Sequence, residues 1–231
     1  MSNVISKEVA CPNCNEISNV HVYTSINATN DPKFREDLLS EKLLKWKCEN
    51  CSYEGRFTYP LLYNDMKHRF MVYLIPQIER FQLEDRSLEE DYRNLKGITK
   101  RITPDFNSFK EKVFIFESGL DDMAVELCKL AVSETVAKKH NLPKVEEGYL
   151  SMYNRETNTM GFTFFVGDNH EPYVQSARLE VYARSVQIVN AVGQNDKKLS
   201  GFIKIDREWA ENILYRYKRA KHIEMLNKLK E

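Results

Sequence analysis

The sequence predicts an α+β fold in which a β-rich N-terminal region is followed by a helical region with a small antiparallel sheet. Two observations favour this class. The first 75 residues contain short segments rich in β-forming residues, which are interrupted by turn signals. From residue 104 onward, apolar residues recur at helical spacing over two long stretches and again near the C-terminus. A chain of 231 residues is long enough for two modest domains.

Composition is that of an ordinary globular protein, with 42% apolar and 29% charged residues. Lysine plus arginine balances aspartate plus glutamate at 34 each, so net charge gives no general case for nucleic acid or an anionic membrane as a partner. No apolar run approaches the ~18 residues of a membrane span. No signal peptide is visible, and four of the five cysteines lie in paired motifs. We therefore expect a protein of the reducing cytoplasm.

The most specific feature is a pair of Cys-x-x-Cys motifs, Cys11–Cys14 and Cys48–Cys51. Two such motifs on a chain that can fold back on itself predict one four-thiolate zinc site. Because all four positions are filled by protein, the predicted zinc is structural rather than catalytic. Iron is an alternative, since thiolates bind it as well. Two other interpretations fit less well. A redox dithiol would need one motif beside a strand–helix unit, whereas this chain has two motifs at zinc spacing. Disulfides would suit a secreted protein, and no signal peptide is visible.

The residue after the second cysteine of such a turn often needs a left-handed backbone. Asn15 holds this place in the first motif and tolerates that conformation, whereas Ser52 in the second motif is a poorer choice.

Several motifs follow one another along the first part of the chain: Cys11-Pro12-x-Cys14, Asn30-Asp31-Pro32, Cys48-x-x-Cys51 and Tyr59-Pro60-Leu61-Leu62-Tyr63-Asn64-Asp65. Together they resemble the CpXC domain of bacteria and archaea over about residues 6–77. The second cysteine motif lacks the glycine that usually follows its last cysteine in this family. Further on, Glu111-Lys112-Val113 and Gly119-Leu120-Asp121-Asp122 are similar to a companion region of longer family members. The resemblance implies metal binding and a fold, and no established activity.

We divide the chain into a zinc-ribbon-like, metal-binding domain over 1–77, a charged helical linker over 78–103 and an α+β domain over 104–231. In the first domain, Asn30-Asp31-Pro32 predicts a helix start, and residues 68–75 are apolar on both faces, which is typical of a central buried strand. Further strands are predicted over 3–9, 17–26, 43–47 and 53–59. Ser87–Glu90 has the form of a capping box in the linker.

The C-terminal domain begins with a helix over Phe106–Phe116, and a second, mostly apolar helix follows over 120–139. The second helix carries a narrow polar stripe, and Cys128 lies on its apolar side as an inert core thiol. We then expect a hairpin over 149–166, a strand followed by a helix over 173–192, a short strand over 202–205 and a helix capped by Asp206. The polar stripe of the second helix, over 120–139, consists of Asp122, Glu126, Lys129 and Ser133.

Four further residues are candidates for enzyme chemistry. Asp65 and His68 are three residues apart, a spacing seen in ligand pairs. Asp121 and Asp122 are adjacent, so on a helix they point about 100° apart and do not easily share a ligand. Acidic residues in a first helical turn are explained more simply by the helix dipole.

We expect a zinc protein that acts through binding, with a protein as its partner and no membrane association. The alternatives are an enzyme that uses Asp65, His68, Asp121 and Asp122, or a nucleic-acid binder. The second alternative would use the zinc turns together with the basic run over 216–221, although a solvated helix end is the simpler explanation of that run.

Overall fold

A computed structural model describes residues 2–76, 95, 97–167, 169–199 and 201–228. The chain forms two compact units, Met1–Lys110 and Glu111–Glu231. The first unit is rich in strands and the second combines helices with a small sheet. This mixed arrangement confirms the predicted α+β class.

A five-stranded mixed sheet forms the first unit. Its central strands β5 and β6 each lie between two other strands, and consecutive side chains along both are buried, so the sheet is covered on both faces here. The predicted buried strand over 68–75 is β6, which confirms that prediction. In spatial order the strands are β1 (Asn3–Ala10), β2 (Ile17–Asn27), β5 (Leu61–Asp65), β6 (Phe70–Leu74) and β7 (Thr99–Thr103).

The β1–β2 hairpin extends beyond this sheet. β2 pairs with β5 over Ser25–Asn27, whereas it pairs with β1 from Ile17 to Ser25. Between β2 and β5 the chain forms helix α1 (Pro32–Leu39), with proline at its start as predicted. A second, two-stranded hairpin follows, made of β3 (Lys45–Lys47) and β4 (Glu54–Arg56).

Strand β7 changes the interpretation of the predicted linker. Thr99–Thr103 pairs in parallel with β6, so the end of the predicted helical linker is a strand of the sheet. Its charged residues suggested a solvated segment, but Lys100 is 4% exposed and Arg101 is 8% exposed. The remainder of the predicted linker, including the capping box at Ser87–Glu90, lies outside the described residues.

Helix α3 (Asp122–Lys139) is the centre of the second unit. One side packs on an antiparallel sheet with the order β10-β9-β8, and another side packs on helices α4 and α6. The predicted hairpin and the predicted strand followed by a helix are confirmed. The other elements are α2 (Phe106–Glu117), which begins in the first unit, β8 (Gly148–Asn154), β9 (Thr159–Val166), β10 (Glu171–Arg178), α4 (Leu179–Val192), α5 (Gln194–Lys197) and α6 (Arg207–Lys228).

The start of α6 differs slightly from expectation. Residues 202–205, all of them described, contain one isolated bridge at Ile203 instead of a strand. Asp206 accepts a hydrogen bond from the backbone N–H of Trp209 at 3.1 Å, so its predicted capping role is confirmed.

Candidate metal centre

Each Cys-x-x-Cys motif forms the turn of a β-hairpin. The first motif lies between the paired residues Ala10 and Ile17 at the end of β1–β2. The second lies between Lys47 and Glu54 at the end of β3–β4. Two paired strands therefore fix each turn, and each turn brings two thiols to one point.

The two turns have the same backbone hydrogen bonds. In the first, the Cys11 N–H donates to the Glu16 carbonyl at 2.8 Å, and the Asn15 N–H donates to the Cys11 carbonyl at 2.8 Å. In the second, the equivalent bonds run from Cys48 to Tyr53 at 2.8 Å and from Ser52 to Cys48 at 3.0 Å. The residue after each second cysteine is left-handed, with φ of 58° at both Asn15 and Ser52, as the sequence predicted.

The structure brings the four predicted ligands together. The Cys11 and Cys51 sulfurs are 3.6 Å apart, the Cys14 and Cys48 sulfurs are 3.7 Å apart, and all four lie within 4.8 Å of one another. Zinc–sulfur bonds of about 2.3 Å in a tetrahedron place the sulfurs about 3.8 Å apart. The four thiols are free of disulfides, and the first cysteine of each motif is buried. This geometry can hold one metal ion.

The metal-free thiols differ in acidity. A side-chain hydrogen bond from Asn13 and the backbone N–H of Tyr53 lower the pKa of Cys51 to about 6. The backbone N–H of Glu16 lowers the pKa of Cys14, but burial and the Cys51 and Cys11 sulfurs outweigh it and raise the pKa to about 11. Because metals bind the thiolate form, metal binding would release the protons that these thiols hold.

Two asparagines that sequence reasoning missed support this centre. Asn13, in the first turn, lies close enough to lower the pKa of Cys51 in the second, and Asn50, in the second turn, likewise acts to lower the pKa of Cys14 in the first. Both asparagines directly precede the second cysteine of their motif, so the repeated Cys-x-Asn-Cys pattern was the available signal.

The candidates for enzyme chemistry separate into two places. Asp65 is the last residue of β5 and His68 lies in the turn that follows, with the Asp65 Oδ2 and the His68 Nδ1 2.6 Å apart. Asp121 caps α3 by accepting from the Met123 and Ala124 N–H groups. Asp122 is 2% exposed and lies 3.1 Å from the Lys112 ammonium group. Each of these side chains therefore has a structural partner.

Other candidate features also have structural explanations. Cys128 is fully buried in the core of the second unit, as predicted, and this burial raises its pKa to about 12. In the basic run, Arg216 pairs with Asp196 at 2.6 Å and Lys221 pairs with Glu224 at 2.9 Å. A cavity of about 430 Å³ between α3, α4 and α6 is lined mainly by apolar side chains and contains none of the four enzyme candidates.

Within the residues that the structure describes, the four cysteines are the only group of three or more His, Cys, Asp or Glu side chains placed to hold a metal. No helix in the same part of the chain is both long enough and apolar enough to cross a membrane.

Two cysteine turns on hairpin ends, within a mixed α+β chain, define a protein with a four-thiol centre that can hold one metal ion. The family model described as CpXC protein matches residues 9–129, just over half of the chain. The chain therefore belongs to the CpXC family, as the resemblance indicated. The match continues past residue 77 into α3. No curated protein and no solved structure matches the chain.

Proposed function

We propose that this protein is a cytoplasmic zinc protein in which zinc has a structural role and function is exerted by binding another protein. The observation that carries the zinc proposal is the sulfur arrangement. Two Sγ–Sγ distances of 3.6 and 3.7 Å match the edges of a zinc–thiolate tetrahedron. Two equivalent turns on hairpins that approach each other give the centre a zinc-ribbon-like character.

A structural role follows from the ligand number. Four thiolates complete a tetrahedron and leave no position for water or substrate, so the metal cannot acidify a bound water. We expect no hydrolase or nuclease activity at this centre. Turnover that is abolished by chelation while the fold remains intact would contradict that expectation.

The zinc proposal is tested by metal analysis of protein purified without added metal. We expect one zinc per chain in wild type and in the control Cys128→Ser, and loss of zinc from Cys14→Ser. Iron in place of zinc would preserve the structural role and change only the metal. Zinc loss from Cys128→Ser, or full retention in Cys14→Ser, would overturn the ligand set.

Support for a protein partner comes from strand β1. It lies at the edge of the five-stranded sheet and is exposed along almost its whole length, including Val4, which is 38% exposed. An edge strand of eight residues offers backbone groups to a strand of another chain.

A pull-down from native cells tests this surface. A partner retained by wild type and by the control Lys7→Arg, but lost with Val4→Lys, would support binding at β1. Equal retention by Val4→Lys would contradict it. The enzyme that uses Asp65, His68, Asp121 and Asp122 and the nucleic-acid binder stand as alternatives, and the described residues give neither a specific supporting observation.

A further inference from the structure

The C-terminal end of helix α6 is exposed on every side. The first half of this helix supplies the buried side chains of Ala210 and Ile213 to the core of the second unit. From residue 218 to residue 228, by contrast, every side chain is exposed. We call residues 218–228 the C-terminal arm. Isolated helices shorter than ~12–15 residues are marginal in water, because most helical stability in proteins comes from packing.

The C-terminal arm holds large apolar side chains in water. Ile223 is 49% exposed, Met225 is 65% exposed and Leu226 is 44% exposed. Ile223 and Leu226 are three positions apart, so they lie on one face of the helix, whereas Met225 lies on another. An exposed pair of apolar side chains on one helical face is typical of a helix that binds in an apolar groove.

An apolar groove of this kind lies in the same unit. It is the space of about 430 Å³ between α3, α4 and α6, and we call it the α3–α4–α6 groove. Leu127 and Leu130 lie deep in it, at 5% and 6% exposed, while Ala131 and Val181 line it from exposed positions. The groove is therefore open to another molecule, and no residue of the C-terminal arm lines it.

The C-terminal arm cannot fill the groove of its own chain. Leu214 lines the groove from α6, and Ile223 and Leu226 follow it in the same continuous helix. A rise of 1.5 Å per residue places these two side chains about 14 and 18 Å further along the helix axis. While α6 stays intact, the apolar face of the arm is available only to the groove of another copy.

The groove and the arm carry opposite net charge. The exposed charged residues that line the groove are Glu134, Glu180 and Arg184, so carboxylates are in excess there. The arm contains four lysine or arginine residues and one glutamate. Complementary charge favours the encounter of the arm with the groove and disfavours partners of the wrong sign.

We propose that this protein forms a dimer in which the C-terminal arm of each copy binds in the α3–α4–α6 groove of the other, with Ile223 and Leu226 on its apolar floor. Because the arm and one wall of the groove belong to the same helix, mutual contact sets the two α6 helices antiparallel. A two-fold axis then relates the two contacts and closes the assembly. The dimer uses neither the metal centre nor strand β1, so its test is independent of the proposed function.

Sedimentation of the full chain over a range of concentrations provides the first test. Wild type should be dimeric at micromolar concentrations, and Ile223→Asp should raise the dissociation constant of the dimer at least about tenfold. Met225→Asp makes the same charge change on another face of the arm and should dimerise like wild type. Both positions are exposed, so both variants should keep the wild-type circular dichroism spectrum. A monomeric wild type, or equal dimerisation of Ile223→Asp and wild type, would overturn the proposal.

The second test separates arm-in-groove binding from a pairing of two arms. Ala131→Lys places a cation in the groove at an exposed helical position and should weaken the dimer, whereas Thr135→Lys, exposed one turn further along α3, should not. A mixture of Ile223→Asp and Ala131→Lys chains restores one intact arm facing one intact groove. The other contact joins the two changed positions, whose introduced charges are opposite.

Native mass spectrometry of this mixture should therefore show more heterodimer than either homodimer. A mixture that yields no excess of heterodimer would show that the arm does not bind in the groove of a second copy.

Discussion

At the scale of single residues, Ser52 is the strained position of the metal centre. Its φ of 58° is left-handed, and its side chain is exposed, so a glycine there removes backbone strain without removing packing. We expect Ser52→Gly to raise the free energy of unfolding of the first unit by about 0.5–1 kcal/mol. The measurement is urea unfolding followed by Trp46 fluorescence in a Trp209→Phe background.

Ser6→Gly is the matched control, because Ser6 is an exposed serine within strand β1. Glycine in a strand has a larger conformational entropy to lose, so this change should destabilise the same unit. A Ser52→Gly protein that is no more stable than wild type would show that the turn is not strained at this residue.

Asn13 and Asn50 act on the sulfurs of the opposite turn. Asn13 acts to lower the pKa of Cys51 and Asn50 that of Cys14, and donor groups close to the sulfurs offset part of the negative charge of a four-thiolate centre. We expect Asn13→Ala and Asn50→Ala each to weaken zinc affinity about 10–100-fold. Competition with a chromogenic chelator measures the affinity.

Asn19→Ala, at an exposed position on β2, serves as the control and should bind zinc like wild type. If the Asn13 and Asn50 variants also bind zinc as tightly as wild type, the two amides do not contribute to the metal centre.

At the scale of elements, α3 distinguishes its two adjacent aspartates. Asp121 caps the helix from a partly exposed position, whereas Asp122 is buried beside Lys112. Asp121→Ala, which removes the cap, should lower the free energy of unfolding by about 1 kcal/mol. Asp122→Ala should lower the free energy of unfolding by about 3–5 kcal/mol, because the buried Lys112 ammonium group then loses a close carboxylate partner. Urea unfolding followed by Trp209 fluorescence in the Trp46→Phe background measures both.

Glu156→Ala, in the exposed turn between β8 and β9, should leave stability nearly unchanged. Equal losses for Asp121→Ala and Asp122→Ala would mean that the buried pair with Lys112 contributes no more than a helix cap.

At the scale of the whole molecule, we expect the proposed metal to stabilise the first unit only, because all four cysteines belong to that unit. Cys11 and Cys48 lie 37 positions apart in the chain, so bringing their hairpins together costs loop entropy. The proposed structural zinc would offset that cost, since apparent binding energies of structural zinc are on the order of 10 kcal/mol. We expect Cys48→Ser to unfold the first unit, through at least Ile75, and to leave the second unit folded around α3.

Limited proteolysis with sequencing of the fragments checks this expectation. The variant should yield a resistant fragment that contains the second unit, and Cys128→Ser should be as resistant as wild type. Degradation throughout, or full protection of Cys48→Ser, would show that the two units do not depend on zinc in this way.

The sequence by itself determined the features that depend on local spacing. The Cys-x-x-Cys turns, the left-handed Asn15 and Ser52, the proline at the start of α1 and the Asp206 cap are each set by a few neighbouring residues. The class of fold followed from hydrophobic periodicity, which reports whether one face or both faces of an element are buried.

Tertiary structure alone decided which charged residues are solvated. Lys100, Arg101 and the α3 stripe have the composition of surface residues, yet all of them are buried. Lys100 and Arg101 are buried because the sheet places β7 beside β6. The charged residues of the α3 stripe are buried beside oppositely charged partners on another helix. The approach of Asn13 to Cys51 likewise exists only once two hairpins meet. Sequence spacing specifies a turn or a helical face, but the pairing of groups far apart in the chain depends on the packing of the whole unit.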